Sequence, residues 1–185
     1  MAELSQGIYV ASTGTSVWIR IQGRGTFQNS PALKQYVSNK VRSGSNELVV
    51  DLAQCVGMDS TFLGVLAGLG MRLHQQGGSG TNWVINANQQ HQDLLRGLGL
   101  HRIFNVAASG TDHSCLNLPV NLVFQQLPDS NTAEQRKPLN QQETRQIMLT
   151  AHTDLVRVDN RNAAKFATVI QLLREESLPE PPAKT

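Results

Sequence analysis

The feature that most constrains this chain is an apolar run followed shortly by a helix that is poor in large side chains. The residues from Leu48 to Val50 are consecutive and rich in β-branched types, as expected for a central strand covered on both faces. The segment from Ser60 to Gln75 then places leucines at helical spacing. Its small residues are Gly64, Ala67, Gly68 and Gly70. Each glycine destabilises an isolated helix by about 1 kcal/mol relative to alanine, so this helix is expected to lie close against a sheet.

Strand and helix patterns alternate through most of the chain. The predicted strands cover 7–11, 17–22, 47–52 and 82–86, with a last short strand near 106, and the predicted helices cover 30–43, 60–75 and 88–98. Loop-forming residues at 12–16 predict a hairpin between the first two strands, and Gly23-Arg24-Gly25 is expected to end the second. The order β-β-α-β-α-β-α-β predicts an α/β domain with a mixed sheet, whose later strands are joined in parallel by crossover connections.

The chain continues beyond this domain into two further helical patterns. We expect the domain to cover 1–127, a polar linker 128–139, a helical hairpin 140–177 and a Pro-rich, disordered tail 178–185. The hairpin is amphipathic and too short to form a core alone, so it must bury its apolar faces elsewhere. Either it packs on the preceding domain of the same chain, or it forms a homodimer contact or partner-binding arm.

Composition and charge exclude several classes of protein. The chain carries a formal net charge of +2, and its basic residues are scattered singly, which does not favour nucleic-acid binding. It has no secretory signal pattern and no run of about 20 apolar residues, so membrane insertion is not expected. Cys55 and Cys115 lack CxxC spacing, which indicates a reduced, cytoplasmic protein with two unpaired thiols.

The sequence offers no machinery for catalysis. The five histidines have no metal-ligand spacing with each other or with the cysteines, and no GxSxG elbow is present. Gly23-Arg24-Gly25 lacks the third glycine and the immediate helix of a phosphate loop. We therefore predict that the protein is not an enzyme and holds no metal and no cofactor.

The segment from Glu47 to Leu69, ELVVDLAQCVGMDSTFLGVLAGL, resembles the signature of STAS domains, the family that includes bacterial anti-anti-sigma factors. The family pattern is a buried strand ending in Asp-Leu, a short loop, and then Asp-Ser-Ser/Thr-Gly-Leu-Gly-Val-Leu. Here Asp51-Leu52, Asp59-Ser60-Thr61 and Leu63-Gly64-Val65-Leu66 match it. Element order agrees over roughly residues 7 to 127, so the resemblance implies a STAS-like mixed sheet.

The resemblance also implies a phosphorylation switch that antagonises an anti-sigma factor. In such proteins the serine after the motif aspartate, here Ser60, is phosphorylated by a partner kinase of the histidine-kinase-like ATPase type, which is also the anti-sigma factor. The unphosphorylated form binds that partner, and a serine phosphatase restores it. Thr61 is the secondary candidate for the phosphate. The expected partner-binding residues are Asp59, Ser60, Thr61, Phe62 and Gly64.

Two features of the motif leave alternatives open. Asp-Ser-Thr ahead of an apolar run is also an ordinary helix N-cap cluster. Phe62 stands where the family usually has glycine, and it is expected to block a kinase, to anchor a different partner, or to pack inward as a core residue. The alternative function is a STAS scaffold or adaptor module without phosphorylation.

Overall fold

A computed structural model describes residues 5–75, 82–111, 122–128 and 140–175. The strands are β1 (Gly7–Thr13), β2 (Ser16–Gly25), β3 (Glu47–Met58), β4 (Asn82–Ala87), β5 (Asn105–Ala108) and β6 (Gln125–Gln126). The helices are α1 (Ser30–Arg42), α2 (Ser60–Gln75), α3 (Gln89–Gly97), α4 (Gln141–Val158) and α5 (Asn162–Glu175), with a short 3-10 helix at Leu100–Arg102. The predicted order of strands and helices is therefore confirmed, and β6 is an addition to it.

The six strands form one mixed sheet in the order β5-β4-β3-β2-β1-β6. β1 and β2 form the predicted antiparallel hairpin, while β2, β3, β4 and β5 pair in parallel. Two-residue β6 joins the outer edge antiparallel to β1, opposite Tyr9 and Val10. Its sequence is Gln-Gln, which carries no apolar alternation, so the sequence pattern did not predict it.

Two strands run further than the sequence indicated. β2 continues through Gly23-Arg24-Gly25, which was wrongly expected to end it, and β3 continues to Met58. The two extensions pair with each other, Gly25 opposite Met58, after shifts in register. Gly23 adopts φ +82°, a conformation that glycine reaches without strain, and this lets the paired strands bend and continue.

The main core lies between the helices and one face of the sheet. Its fully buried members include Leu33 of α1, Leu63 and Leu66 of α2, and Val50 of β3. Val49 points to the opposite face, where it joins a smaller apolar cluster with Ala11, Trp18 and Ile85. Val49 and Val50, which point to opposite faces, are both 0% exposed, and this confirms that the central strand β3 is covered on both sides.

The C-terminal helices form a hairpin that packs on α2 of the same chain. α4 begins with a capping box in which Asn140 and Glu143 each accept a hydrogen bond from the other's backbone N–H. The turn of the hairpin is fixed by Asn162, which is fully buried and donates from Nδ2 to the carbonyl oxygens of Leu98 and Leu155. Lys165 donates to the carbonyl oxygen of Gly97. Of the two alternatives left open for the hairpin, the structure shows the first, packing on the preceding domain of the same chain.

Most of the predicted linker and all of the predicted tail lie outside the described residues. Within the described ranges, none of the helices has the length and apolar character that crossing a bilayer requires.

Candidate docking site on helix α2

Asp59 holds the N-terminus of α2 in place. Its Oδ1 accepts from the backbone N–H of Phe62 at 2.8 Å, and its Oδ2 accepts from the N–H of Phe27 at 2.8 Å. Its own N–H donates to the carbonyl oxygen of Gly25 at 3.0 Å. Asp59 is therefore the N-cap that the sequence suggested, and it also ties α2 to the end of β2 and to the segment that leads from β2 into α1.

Ser60, the first residue of α2, is half-buried and contacts α4. Its Oγ lies 3.0 Å from Nε2 of His152, whose Nδ1 lies 2.8 Å from the carbonyl oxygen of Met148. A carbonyl oxygen can only accept, so Nδ1 carries a proton, and in the neutral ring Nε2 accepts from the Ser60 hydroxyl. The ring of Phe166 on α5 packs against the imidazole with a centroid separation of 5.0 Å. His152 is 4% exposed and its ring is held on three sides.

Two glycines of α2 make room for α4, one for its backbone and one for a side chain. A Cβ atom built on Gly64 would overlap the carbonyl oxygen of Ala151, and one built on Gly68 would overlap a carboxylate oxygen of Asp154. Ser60, Gly64 and Gly68 follow one another at intervals of four residues, so they form one stripe along α2. We call this stripe and the residues beside it, Val65 and Leu69, the α2 face. The sequence predicted a close approach of this helix, but to the sheet; the structure shows that two of its glycines face another helix.

The α2 face meets an acidic group on α4 and basic groups at its edge. Asp154 is 8% exposed, and burial raises the pKa of its carboxyl, opposed by Arg157, Lys34 and Arg72. Arg157 lies on α4 itself and forms an ion pair with Asp154 at 3.1 Å. Lys34 and Arg72 come from α1 and α2 and line the small cavity between those helices and α4. The α2 face thus has only small side chains along its centre, and it carries positive charge on one side.

The remaining predicted site residues point into the protein. Phe62 is fully buried and covers Gly25, where a Cβ atom would overlap its ring. It is a core residue, the third of the three roles considered for it, and its side chain offers no exposed anchor. Thr61 is 3% exposed, so of the two hydroxyls in the motif that of Ser60 is the more accessible.

His152 is the site residue that sequence reasoning missed. The five histidines were set aside because they have no metal-ligand spacing with each other or with the cysteines, and 92 residues separate His152 from Ser60. Neither residue type nor periodicity gives a signal for this contact. Within the described ranges, no cluster of three or more His, Cys, Asp or Glu side chains has metal-binding geometry. His113 and Cys115 lie outside those ranges.

A mixed sheet with helices on its main-core face, and a buried strand followed by a helix that Asp59 caps and Ser60-Thr61 open, agree with the fold and motif expected of a STAS domain. The family model described as "Mlab, STAS domain" matches residues 8–106. The chain therefore belongs to the STAS domain family, whose fold serves as an interaction domain. No curated protein matched the sequence in a direct comparison.

Several solved structures are similar to part of the chain. A protein assigned as a candidate anti-sigma factor antagonist from Thermotoga maritima shares 19% identity over 57% of this chain and 86% of its own, with a TM-score of 0.49. The Bacillus cell fate determinant SpoIIAA in its phosphorylated form shares 16% identity over 59% of this chain and 96% of its own, with a TM-score of 0.47. Each alignment covers slightly more of the chain than the family model does.

Proposed function

We propose that this protein is a phosphorylation-switched interaction domain that antagonises an anti-sigma factor in a bacterial transcription-regulation pathway. In this proposal the α2 N-terminus binds a switch kinase of the histidine-kinase-like ATPase type while Ser60 is unphosphorylated. Phosphorylation of Ser60 ends that binding, and a serine phosphatase restores it. The protein itself acts by binding and not by catalysis.

The observation that carries this proposal is the position of Ser60 at the first turn of a firmly capped helix. A helix N-terminus exposes unpaired backbone N–H groups and about half a positive charge, so it accommodates an added phosphate. Asp59 fixes this turn by accepting hydrogen bonds from Phe27 and Phe62. We therefore expect a phosphate on Ser60 to change the surface charge while the fold stays the same.

The physical effect of the phosphate on a docked partner is large enough for a switch. Phosphoserine brings about −1.5 to −2 charges, and Asp59 next to it adds a further negative charge. A partner packed on a neutral serine would then meet like-charge repulsion and the cost of removing water from a phosphate. An interface loses affinity tenfold for each 1.4 kcal/mol, so a few such units release the partner.

Mass spectrometry of the protein purified from its native host tests the proposal. We expect a fraction of the molecules to carry one phosphate that maps to Ser60, and the phosphate to be absent from Ser60→Ala. Ser109→Ala is the matched control, because Ser109 is exposed and follows the edge strand β5, whereas Ser60 follows the inner strand β3. A phosphate that persists on Ser60→Ala contradicts the site.

A second function is favoured by the contact between Ser60 and His152. The hydroxyl is already hydrogen-bonded within the chain, and α4 covers the helix stripe below it. This supports a STAS scaffold or adaptor module whose cycle contains no phosphorylation. Unphosphorylated protein from the native host, under conditions in which a co-expressed partner kinase is active, supports the adaptor function and contradicts the switch.

A further inference from the structure

The contact between Ser60 and His152 has the geometry of a nucleophile and its base. Oγ of Ser60 lies 3.0 Å from Nε2 of His152. This is within the reach of about 2.6–3.2 Å that such a pair requires. The hydroxyl donates to Nε2, because the proton of the neutral ring is on Nδ1. The lone pair of Nε2 therefore faces the proton that Ser60 must lose when its oxygen forms a new bond.

A third group fixes the orientation of the base. Nδ1 of His152 donates to the carbonyl oxygen of Met148 at 2.8 Å, one turn earlier on α4. The ring of Phe166 packs on the imidazole from α5. A serine, a histidine and a group that orients the histidine are the three parts by which an activated hydroxyl is recognised. Here a backbone carbonyl is the orienting group.

The close contact of α2 and α4 is what brings the pair together. Gly64 lies against the backbone of Ala151, and His152 is the next residue of α4. Ser60 lies one turn before Gly64 on the same stripe of α2. The motif from Asp59 to Leu66 contains no histidine, so the hairpin supplies a group that the motif lacks.

The hydroxyl and the base differ in their access to solvent. Ser60 is half-buried at the first residue of α2, whereas His152 is 4% exposed. A reagent can therefore approach the oxygen while the imidazole stays within the helix contact. The groups that hold the ring come from three helices and are uncharged: Ser60 from α2, Met148 from α4 and Phe166 from α5.

The two acidic residues that adjoin the pair in the sequence have partners of their own. Asp59 precedes Ser60, and its oxygens accept from the backbone N–H groups of Phe27 and Phe62. Asp154 follows His152 by two residues and pairs with Arg157. Neither carboxylate is recorded in a hydrogen bond to the imidazole, so the neutral ring with a free lone pair towards Ser60 is the form that the contacts support.

We propose that His152 is the catalytic base for the modification of Ser60, so that the chain supplies one catalytic group to its own phosphorylation. Oγ attacks the phosphorus of a nucleoside triphosphate's γ-phosphoryl group, the bond to the leaving diphosphate breaks, and the hydroxyl proton passes to Nε2. The resulting imidazolium then donates to the new phosphate. The chain is consumed as the acceptor and does not turn over. This inference rests on the proposed function in one respect, that Ser60 is phosphorylated by a kinase that holds the nucleotide.

A fluorophosphonate reagent tests the base without kinase or nucleotide. As Oγ bonds to its phosphorus, the P–F bond breaks, fluoride leaves and the hydroxyl proton must again be taken up. In the full wild-type chain, peptide mass spectrometry should find Ser60 labelled about 100-fold or more faster than the exposed Ser109. His152→Gln keeps a hydrogen-bonding side chain that cannot take up a proton, and it should lower the rate at Ser60 by about 100-fold or more.

Matched measurements separate a base from a packing residue. His101→Gln changes an exposed histidine of the 3-10 helix and should label Ser60 at the wild-type rate. In the wild type, the rate at Ser60 should rise with pH and then level off once the imidazole is neutral, within the range of about pH 5 to 8. The rate at Ser109 should continue to rise, because only its alkoxide reacts. This profile needs no variant, so it decides the question even if His152→Gln fails to fold.

Three results overturn the role of His152: equal rates for the wild type and His152→Gln, a rate at Ser60 no higher than at Ser109, or parallel pH profiles of the two serines. Phosphate on Ser60 that reaches the wild-type level in His152→Gln, in the native host, overturns it as well and leaves the switch intact. A Ser60 that reacts with the reagent but carries no phosphate in the host supports the base and contradicts the switch alone.

Discussion

The hydroxyl oxygen of Ser60 and Nε2 of His152 lie 3.0 Å apart, and each residue belongs to a different part of the chain. Ser60 opens the motif helix of the STAS domain, and His152 lies in the helical hairpin that follows it. The hydrogen bond marks one end of a helix contact that runs along Gly64 and Gly68. The motif surface and the C-terminal hairpin therefore have to be considered together in any experiment on either.

Replacing Gly64 by alanine should destabilise the protein. The new methyl group overlaps the carbonyl oxygen of Ala151, and overpacking of this kind costs about 1–3 kcal/mol, partly offset by the better helix propensity of alanine. We expect urea unfolding to give a free energy of unfolding lower by about 1–2 kcal/mol. Gly97→Ala in α3 is the control, because a Cβ atom there meets nothing within 4 Å, and it should be neutral or slightly stabilising. Equal values for the two variants would contradict the close helix contact.

Replacing Phe62 by alanine should cost far more than a surface change. The ring is fully buried over Gly25, and removal of such a ring typically lowers the free energy of unfolding by about 3–5 kcal/mol. Phe27→Ala is the surface control, since Phe27 is 39% exposed and the hydrogen bond from its backbone N–H to Asp59 is retained. Thermal or urea unfolding of both variants gives the comparison. A small effect of Phe62→Ala would indicate that the ring is not a core residue.

Removing the cap at Asp59 should weaken the start of α2. Asp59→Ala loses acceptors for the N–H groups of Phe62 and Phe27, and loss of a cap costs about 0.5–2 kcal/mol. Asp59→Asn keeps a capping oxygen and should fall between the wild type and alanine. The exposed Asp93 on α3 provides a control, for which alanine should change the free energy of unfolding by less than about 0.5 kcal/mol. Urea unfolding should therefore give the highest free energy of unfolding for the wild type, a lower one for Asp59→Asn and the lowest for Asp59→Ala. Any other order would contradict the capping role of Asp59.

The pH dependence of stability should carry the signature of Asp154. Burial raises the pKa of this carboxyl above 3.8, so the folded chain keeps the proton to a higher pH than the unfolded chain does. The resulting penalty is fully present above the raised pKa and disappears as the pH falls through it. The free energy of unfolding of the wild type minus that of Asp154→Asn should therefore increase as the pH is lowered from about 7 to 4. A difference that is constant or decreases over this range would contradict the burial of an ionised Asp154.

Cys55 should react slowly with thiol reagents in the folded protein. Its side chain is buried, and burial raises the pKa of the thiol to about 11, against smaller opposing effects of the Gly57 backbone and Arg24. At about pH 7.5 almost none of it is thiolate, the reactive form. In a Cys115→Ser background, Ellman's reagent should label Cys55 rapidly only after denaturation. Rapid labelling of the folded chain would show that this end of β3 is open.

Local patterns predicted the elements, and their failures have specific causes. The apolar run at 48–50 correctly predicted a strand covered on both faces, whereas the glycines of α2 predicted a close approach to the sheet and two of them face α4 instead. β2 was predicted too short because Gly23-Arg24-Gly25 has the sequence pattern of a strand end, whereas Gly23 bends β2 and the strand stays paired with β3 after shifts in register. Phe62 stayed ambiguous because an aromatic side chain on the first turn of a helix has the same sequence pattern whether it points in or out.

By itself the sequence determined the STAS fold, the position of Ser60 at a capped helix N-terminus, and a C-terminal hairpin that must bury an apolar face. These follow from periodicity, capping chemistry and a local motif, which depend on residues close together in the chain. Only the tertiary structure decided that the hairpin covers the α2 face and that His152 meets Ser60. That contact depends on the relative placement of two segments 92 residues apart, and no short-range pattern encodes such a distance.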